Sequence, residues 1–88
     1  MIERLEVPRA PERTLRDAGL QPSPWSAGPR AHFATHNHAR SKRLFVLDGD
    51  ISFNGEWLHA PAGIRIPAGY EHSAEVGEAG VRCVEAFE

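Results

Sequence analysis

The sequence is short of cysteine, of long apolar runs and of charge of one sign, and each shortage removes a class of protein. A single cysteine, Cys83, in 88 residues permits no intrachain disulfide and no cysteine-rich zinc module. It reads as a small buried hydrophobe in a final strand, because no basic cluster adjoins it. The longest run of large apolar residues is Leu44-Phe45-Val46-Leu47, far below the roughly 20 that a membrane-spanning helix needs. Ten Lys and Arg stand against twelve Asp and Glu, a formal net charge of -2 spread along the chain. That balance argues against nucleic-acid and membrane-surface partners. The opening residues Met1-Ile2-Glu3-Arg4 are charged where an export signal is apolar, so a cytoplasmic location is expected.

What the chain does have is turn chemistry. Eight Gly and seven Pro suit many short strands better than long helices. A chain of this length buries only about 60 to 65% of its unfolded surface, so one domain is expected, with a compact core or one completed by a second copy in a homodimer. Residues 1–28 read as an N-terminal wrap and residues 29–88 as the core. The wrap offers a strand from Ile2 to Val7 and a short helix that starts near Pro11, runs through Leu15 and stops at Gly19. Between Gln21 and Pro29 three prolines surround Trp25, which predicts neither a helix nor a strand paired along its length. Trp25 is expected to lie over an apolar surface and close it.

From Arg30 onward short apolar segments alternate with turn signals at Asp48-Gly49, Asn54-Gly55, Ala62-Gly63, Pro67-Ala68-Gly69 and Glu78-Ala79-Gly80. This spacing predicts a small all-β antiparallel sandwich or barrel. Asn54-Gly55, between Ile51-Ser52-Phe53 and Glu56-Trp57-Leu58, is a two-residue hairpin signal. By parity Leu44 and Val46 oppose Phe45 and Leu47, so this strand is apolar on both faces, and the second face calls for the N-terminal segment or another subunit to cover it. Phe45, Phe53 and Trp57 are expected in the core or at a subunit interface.

Five histidines carry the chemistry: His32, His36, His38, His59 and His72. In an extended segment His36 and His38 share a face about 6.6 to 7 Å apart, within reach of one metal ion. His32 has the same parity but lies about 13 Å from His36, too far to share that ion. It reads as a rim or surface group, and His59 as a surface residue.

The order His36-x-His38, Lys42, Gly49 and then Pro67-x-Gly69-x-x-His72 resembles the cupin superfamily. Its two motifs read G-x5-HxH-x3/4-E-x6-G and G-x5-PxG-x2-H-x3-N. The resemblance covers about Gly28 to Phe87 and implies a small double-stranded antiparallel β-barrel, a jelly roll, that holds a divalent metal on inward-facing residues. His36, His38 and His72 match three of the four ligands of that family. Lys42 stands where the family has its glutamate, and the longer spacing gives Arg43 instead. Arg30, Pro61 and Val76 replace two glycines and the closing asparagine of the motifs.

Three neutral imidazoles suffice for a metal with an open coordination position. A protonated Lys42 beside a dication must point away, lose its proton or sit beside an anion. The last option implies a positive pocket for a small-molecule anion such as a carboxylate, enolate or phosphate. Lys42 and Tyr70 are the candidates for a general acid or base, and no phosphate loop, Ser-His-Asp arrangement or paired carboxylate is legible. The resemblance implies an oxygenase or isomerase, a binding or sensing barrel without turnover, or a structural barrel without metal. The ligand set suits Zn, Fe, Ni, Mn or Cu.

Overall fold

A computed structural model describes all 88 residues. Seven strands and one helix follow in the order β1 (Glu3–Leu5), α1 (Pro11–Asp17), β2 (Ser23–Ala27), β3 (His32–His36), β4 (Lys42–Phe53), β5 (Glu56–His59), β6 (Ala62–Ile66) and β7 (His72–Phe87). All strand pairings are antiparallel. The long strands β4 and β7 run beside each other for most of their length and belong to two layers. At one end Lys42–Val46 pairs with β6 and Val81–Glu85 with β2, and β1 extends β6. Their other segments carry β5 on Asp50–Phe53 and β3 on His72–Glu75.

The bend between the layers falls at Gly49 and Gly80, both with positive φ, where the pairing of β4 with β7 shifts register. Asp48-Gly49 and Glu78-Ala79-Gly80, expected as turns between strands, therefore lie inside long strands. The residue types that close a hairpin also turn a corner in a continuous strand. Asn54-Gly55 does close a hairpin: Phe53 pairs with Glu56, and φ is +51° and +82° at the two turn residues.

Between the layers lies a core that includes Leu44, Val46, Ile51, Phe53, Ile64, Val76 and Cys83. Burial pushes the Cys83 thiol up to about 12, so it is an inert packing group. A second, smaller cluster joins Leu15, Phe45, Val84 and Ala86 on the outer face of the first layer. The second apolar face of β4 is thus covered by α1 of the same chain. Trp57 has 42% of its surface exposed and belongs to neither cluster.

The helix begins at Pro11, which lacks only an N–H that a first turn leaves unpaired, and the chain turns out of it at Gly19 with φ +81°. Seven residues cannot sustain a helix in isolation. Leu15, fully buried, anchors it. Leu15→Ala is expected to lower the unfolding free energy by about 2 to 4 kcal/mol, measured as a reduced urea midpoint. A change below about 0.5 kcal/mol, the range of an ordinary surface substitution, would mean that α1 adds nothing to the fold.

One expectation about the N-terminal segment is overturned. Residues Ser23–Ala27, including Pro24, pair in unbroken register with Glu85–Val81. Proline is tolerated because β2 is an edge strand, where alternate backbone donors face away from the neighbour. Trp25 packs partly buried against the core, as expected.

At the far edge of the first layer Arg65 holds Glu88 through two hydrogen-bonding nitrogens and also reaches Glu3, while Arg43 binds Glu88 at 2.7 Å. Hydrogen bonds from Arg65 and then Arg43 pull the Glu88 carboxyl down to about 2, from an ordinary value of 4.5. A depressed carboxyl stabilises the fold above pH 4.5 and loses that contribution as pH falls toward 2. After screening at this partly exposed site the contribution is about 1 kcal/mol. Glu88→Gln should remove this segment of the acid-unfolding profile; a profile identical to wild type would contradict the assignment.

Candidate metal centre

The two layers and their connecting loops bring His36, His38 and His72 together. His36 ends β3 and pairs directly with His72, which begins β7. His38 lies in the β3–β4 loop, where its carbonyl accepts the Gly69 N–H at 2.8 Å and ties the loop to the β6–β7 turn. Ring centroids stand 4.4 Å apart for His36 and His72, 4.8 Å for His36 and His38, and 5.2 Å for His38 and His72. One ring nitrogen from each lies within 4.8 Å of the other two, so the three could hold one metal ion.

Two of the rings are oriented by backbone hydrogen bonds. His36 Nδ1 donates to the Ala34 carbonyl at 2.7 Å and His72 Nδ1 to the Tyr70 carbonyl at 2.9 Å, so Nε2 is the nitrogen each ring has left for a metal. His38 Nε2 is buried and has no hydrogen-bond partner. Burial lowers the His38 pKa below its ordinary 6.5, helped by Lys42, His36 and His72, against a smaller opposing effect of Glu85. Burial likewise lowers that of His72, against the bond to Tyr70, with further depression by His36 and Lys42. Neutral imidazoles are metal ligands; protonated ones are not.

Beside the histidines opens a cavity of about 290 Å³. His36, His72, Lys42 and Glu85 supply its chemistry, and Trp25, Phe33, Leu44, Ile51 and Phe53 form much of its apolar wall. Lys42 is 8% exposed, and its Nζ donates to Glu85 Oε1 at 3.0 Å. Trp25 Nε1 donates to the same oxygen at 2.9 Å. The ammonium therefore finds its anion within the chain, in a glutamate carboxylate rather than in a bound ligand. Glu85 was missed because its partner lies 43 residues away in sequence. The signal that could have found it is parity: it shares the inward face of β7 with Cys83, a charged residue in an otherwise apolar set.

Tyr70 reaches the site through its carbonyl only; its hydroxyl accepts from Asn54 Nδ2 at 3.4 Å and does not line the cavity. His32 does not share a face with His36. A bulge in β3 between Phe33 and His36 reverses the alternation and puts Phe33 on the cavity wall instead. The His32 side chain is exposed, 4.0 Å from Glu75, and His59 is an exposed partner of Asp50 at 2.7 Å. No helix is long and apolar enough to cross a membrane.

No family model matches the sequence, and no curated protein matches it. Solved structures do match. An RmlC-like cupin from Shewanella frigidimarina aligns with a TM-score of 0.66 at 21% identity, over 77% of this chain and 64% of its own. The protein thus spans just under two thirds of that cupin's length. KdgF from a Halomonas species aligns at 0.64 and 21% identity over 98% of this chain and 78% of its own. A conserved Streptococcus pyogenes protein of unknown function aligns at 0.60 and 14% identity over 99% and 71%. At these identities the likeness is one of fold.

Proposed function

From a chain with the cupin fold, we propose a small metal-binding protein in which His36, His38 and His72 hold one divalent ion and the adjoining cavity admits a small anionic ligand, whose charge the ion would meet because Lys42 is already paired with Glu85. The observation that carries this reading is His38 Nε2. A buried ring nitrogen without a partner costs about 1 to 3 kcal/mol, and an ion shared with two neighbouring imidazoles supplies the missing partner. The donor set is nitrogen only, which suits Zn, Fe, Ni or Cu. When bound, the ion would supply Lewis acidity toward an oxygen of the ligand. The chain's own contribution is to favour the neutral form of His38 and His72, to orient His36 through its Nδ1 bond to the Ala34 carbonyl, and to set an apolar wall beside the three rings.

One observation favours binding without turnover over catalysis. Lys42 and Glu85 occupy each other at 3.0 Å, and the Tyr70 hydroxyl is directed at Asn54, so the proton-transfer groups of the site are engaged within the chain. Elemental analysis of protein purified without a histidine tag, wild type beside His72→Ala, tests the proposal. Near-stoichiometric metal in wild type and none in the variant is the expected result. Metal-free wild type that cannot be reconstituted would overturn it.

A further inference from the structure

The three-histidine site has a cation beside it where a metal centre is better served by an anion. Lys42 is nearly buried and lines the same cavity as His36 and His72. A buried ammonium without a counter-charge would repel an incoming dication through surroundings that screen poorly. Glu85 meets that ammonium at 3.0 Å, with both side chains largely buried, at 10% and 18% exposed. Trp25 fixes the carboxylate from the other side. Position is secured by the sheet: Ser23 of β2 and Leu44 of β4 flank Glu85 in register, and Lys42 lies opposite Phe87, two residues further along β7.

We infer that Glu85 is the acidic member of this metal site acting at one remove: it binds no metal, but by neutralising Lys42 it allows three histidines to accept a dication. This rests on the metal-binding reading above. Trp25 is in turn a positioning residue, because its indole N–H holds the shared oxygen Oε1 against the ammonium.

The test is a charge cycle read by Zn²⁺ titration calorimetry, with thermal melts of the metal-free proteins as a check on folding. Glu85→Gln leaves Lys42 uncompensated and should weaken Zn²⁺ binding at least tenfold. Lys42→Met together with Glu85→Gln removes both charges and should return affinity to within about threefold of wild type. Lys42→Met alone leaves an unopposed carboxylate near the ion and should bind at least as tightly as wild type, which keeps the cycle readable if Glu85→Gln does not fold. Equal affinity for wild type and Glu85→Gln, or a double variant as weak as Glu85→Gln, would overturn the inference. So would Lys42→Met binding more weakly than wild type. Wild type that takes up no Zn²⁺ would instead overturn the metal-binding reading and this inference with it.

Discussion

Gly49→Ala is expected to abolish the folded state. At this corner φ is +81°, and a Cβ added to the residue would sit 2.0 Å from the Gly80 carbonyl oxygen and 2.9 Å from its carbon. Those neighbours are backbone of β7, so no side chain can swing aside. The left-handed conformation alone costs about 1 to 2 kcal/mol for an L-residue, and the overlap raises the total beyond about 4 kcal/mol. A domain of 88 residues has about 4 to 13 kcal/mol of stability in all. Loss of cooperative melting, or a fall in Tm of about 20 °C or more, is the expected result. Gly55→Ala is the control: its φ is +82° but nothing lies within 4 Å, so only the conformational cost of about 1 to 2 kcal/mol applies. Equal effects at both positions would mean that β4 and β7 are not packed together at the bend.

The second large effect is a separation of stability from metal affinity at His38. Leucine there removes the unpartnered buried nitrogen and keeps an apolar side chain of similar reach, so the metal-free protein should melt at or above the wild-type temperature. Metal affinity should collapse. Zinc binding at structural sites is worth about 10 to 16 kcal/mol, and one ligand's share, about 4 kcal/mol, corresponds to roughly a thousandfold. A barrel that retains its histidines for packing alone predicts the opposite pattern, with stability lost and metal uptake indifferent to the change. Calorimetric melting and competitive metal titration on the same sample distinguish the two.

The histidine cluster was legible in the sequence because the family resemblance rests on the order of residue types, and His36, His38 and His72 keep that order whatever the irregularities of the strands between them. Glycine and proline were read less well, since each serves several backbone tasks. Gly49 and Gly80 signal a bend without saying whether the strand ends there, and Pro24 forbids only the donor that an edge strand leaves unpaired. The bulge in β3 hides from parity arguments entirely: one extra residue moves Phe33 onto the cavity wall and His32 away from it. Glu85 was hidden for a different reason. A compensating charge is defined by the strand it lands beside, and the β4–β7 pairing places Lys42 next to a residue 43 positions away. The family resemblance could name three candidate ligands, but only the folded sheet could show what neutralises Lys42.

The measurement that bears most directly on the central claim is anomalous X-ray diffraction from crystals grown with one equivalent of Zn²⁺. The account predicts a single strong peak bounded by the Nε2 atoms of His36, His38 and His72 and separate from the Glu85 carboxylate, which stays on Lys42. No peak among the three rings, or a peak bonded to Glu85, would contradict it.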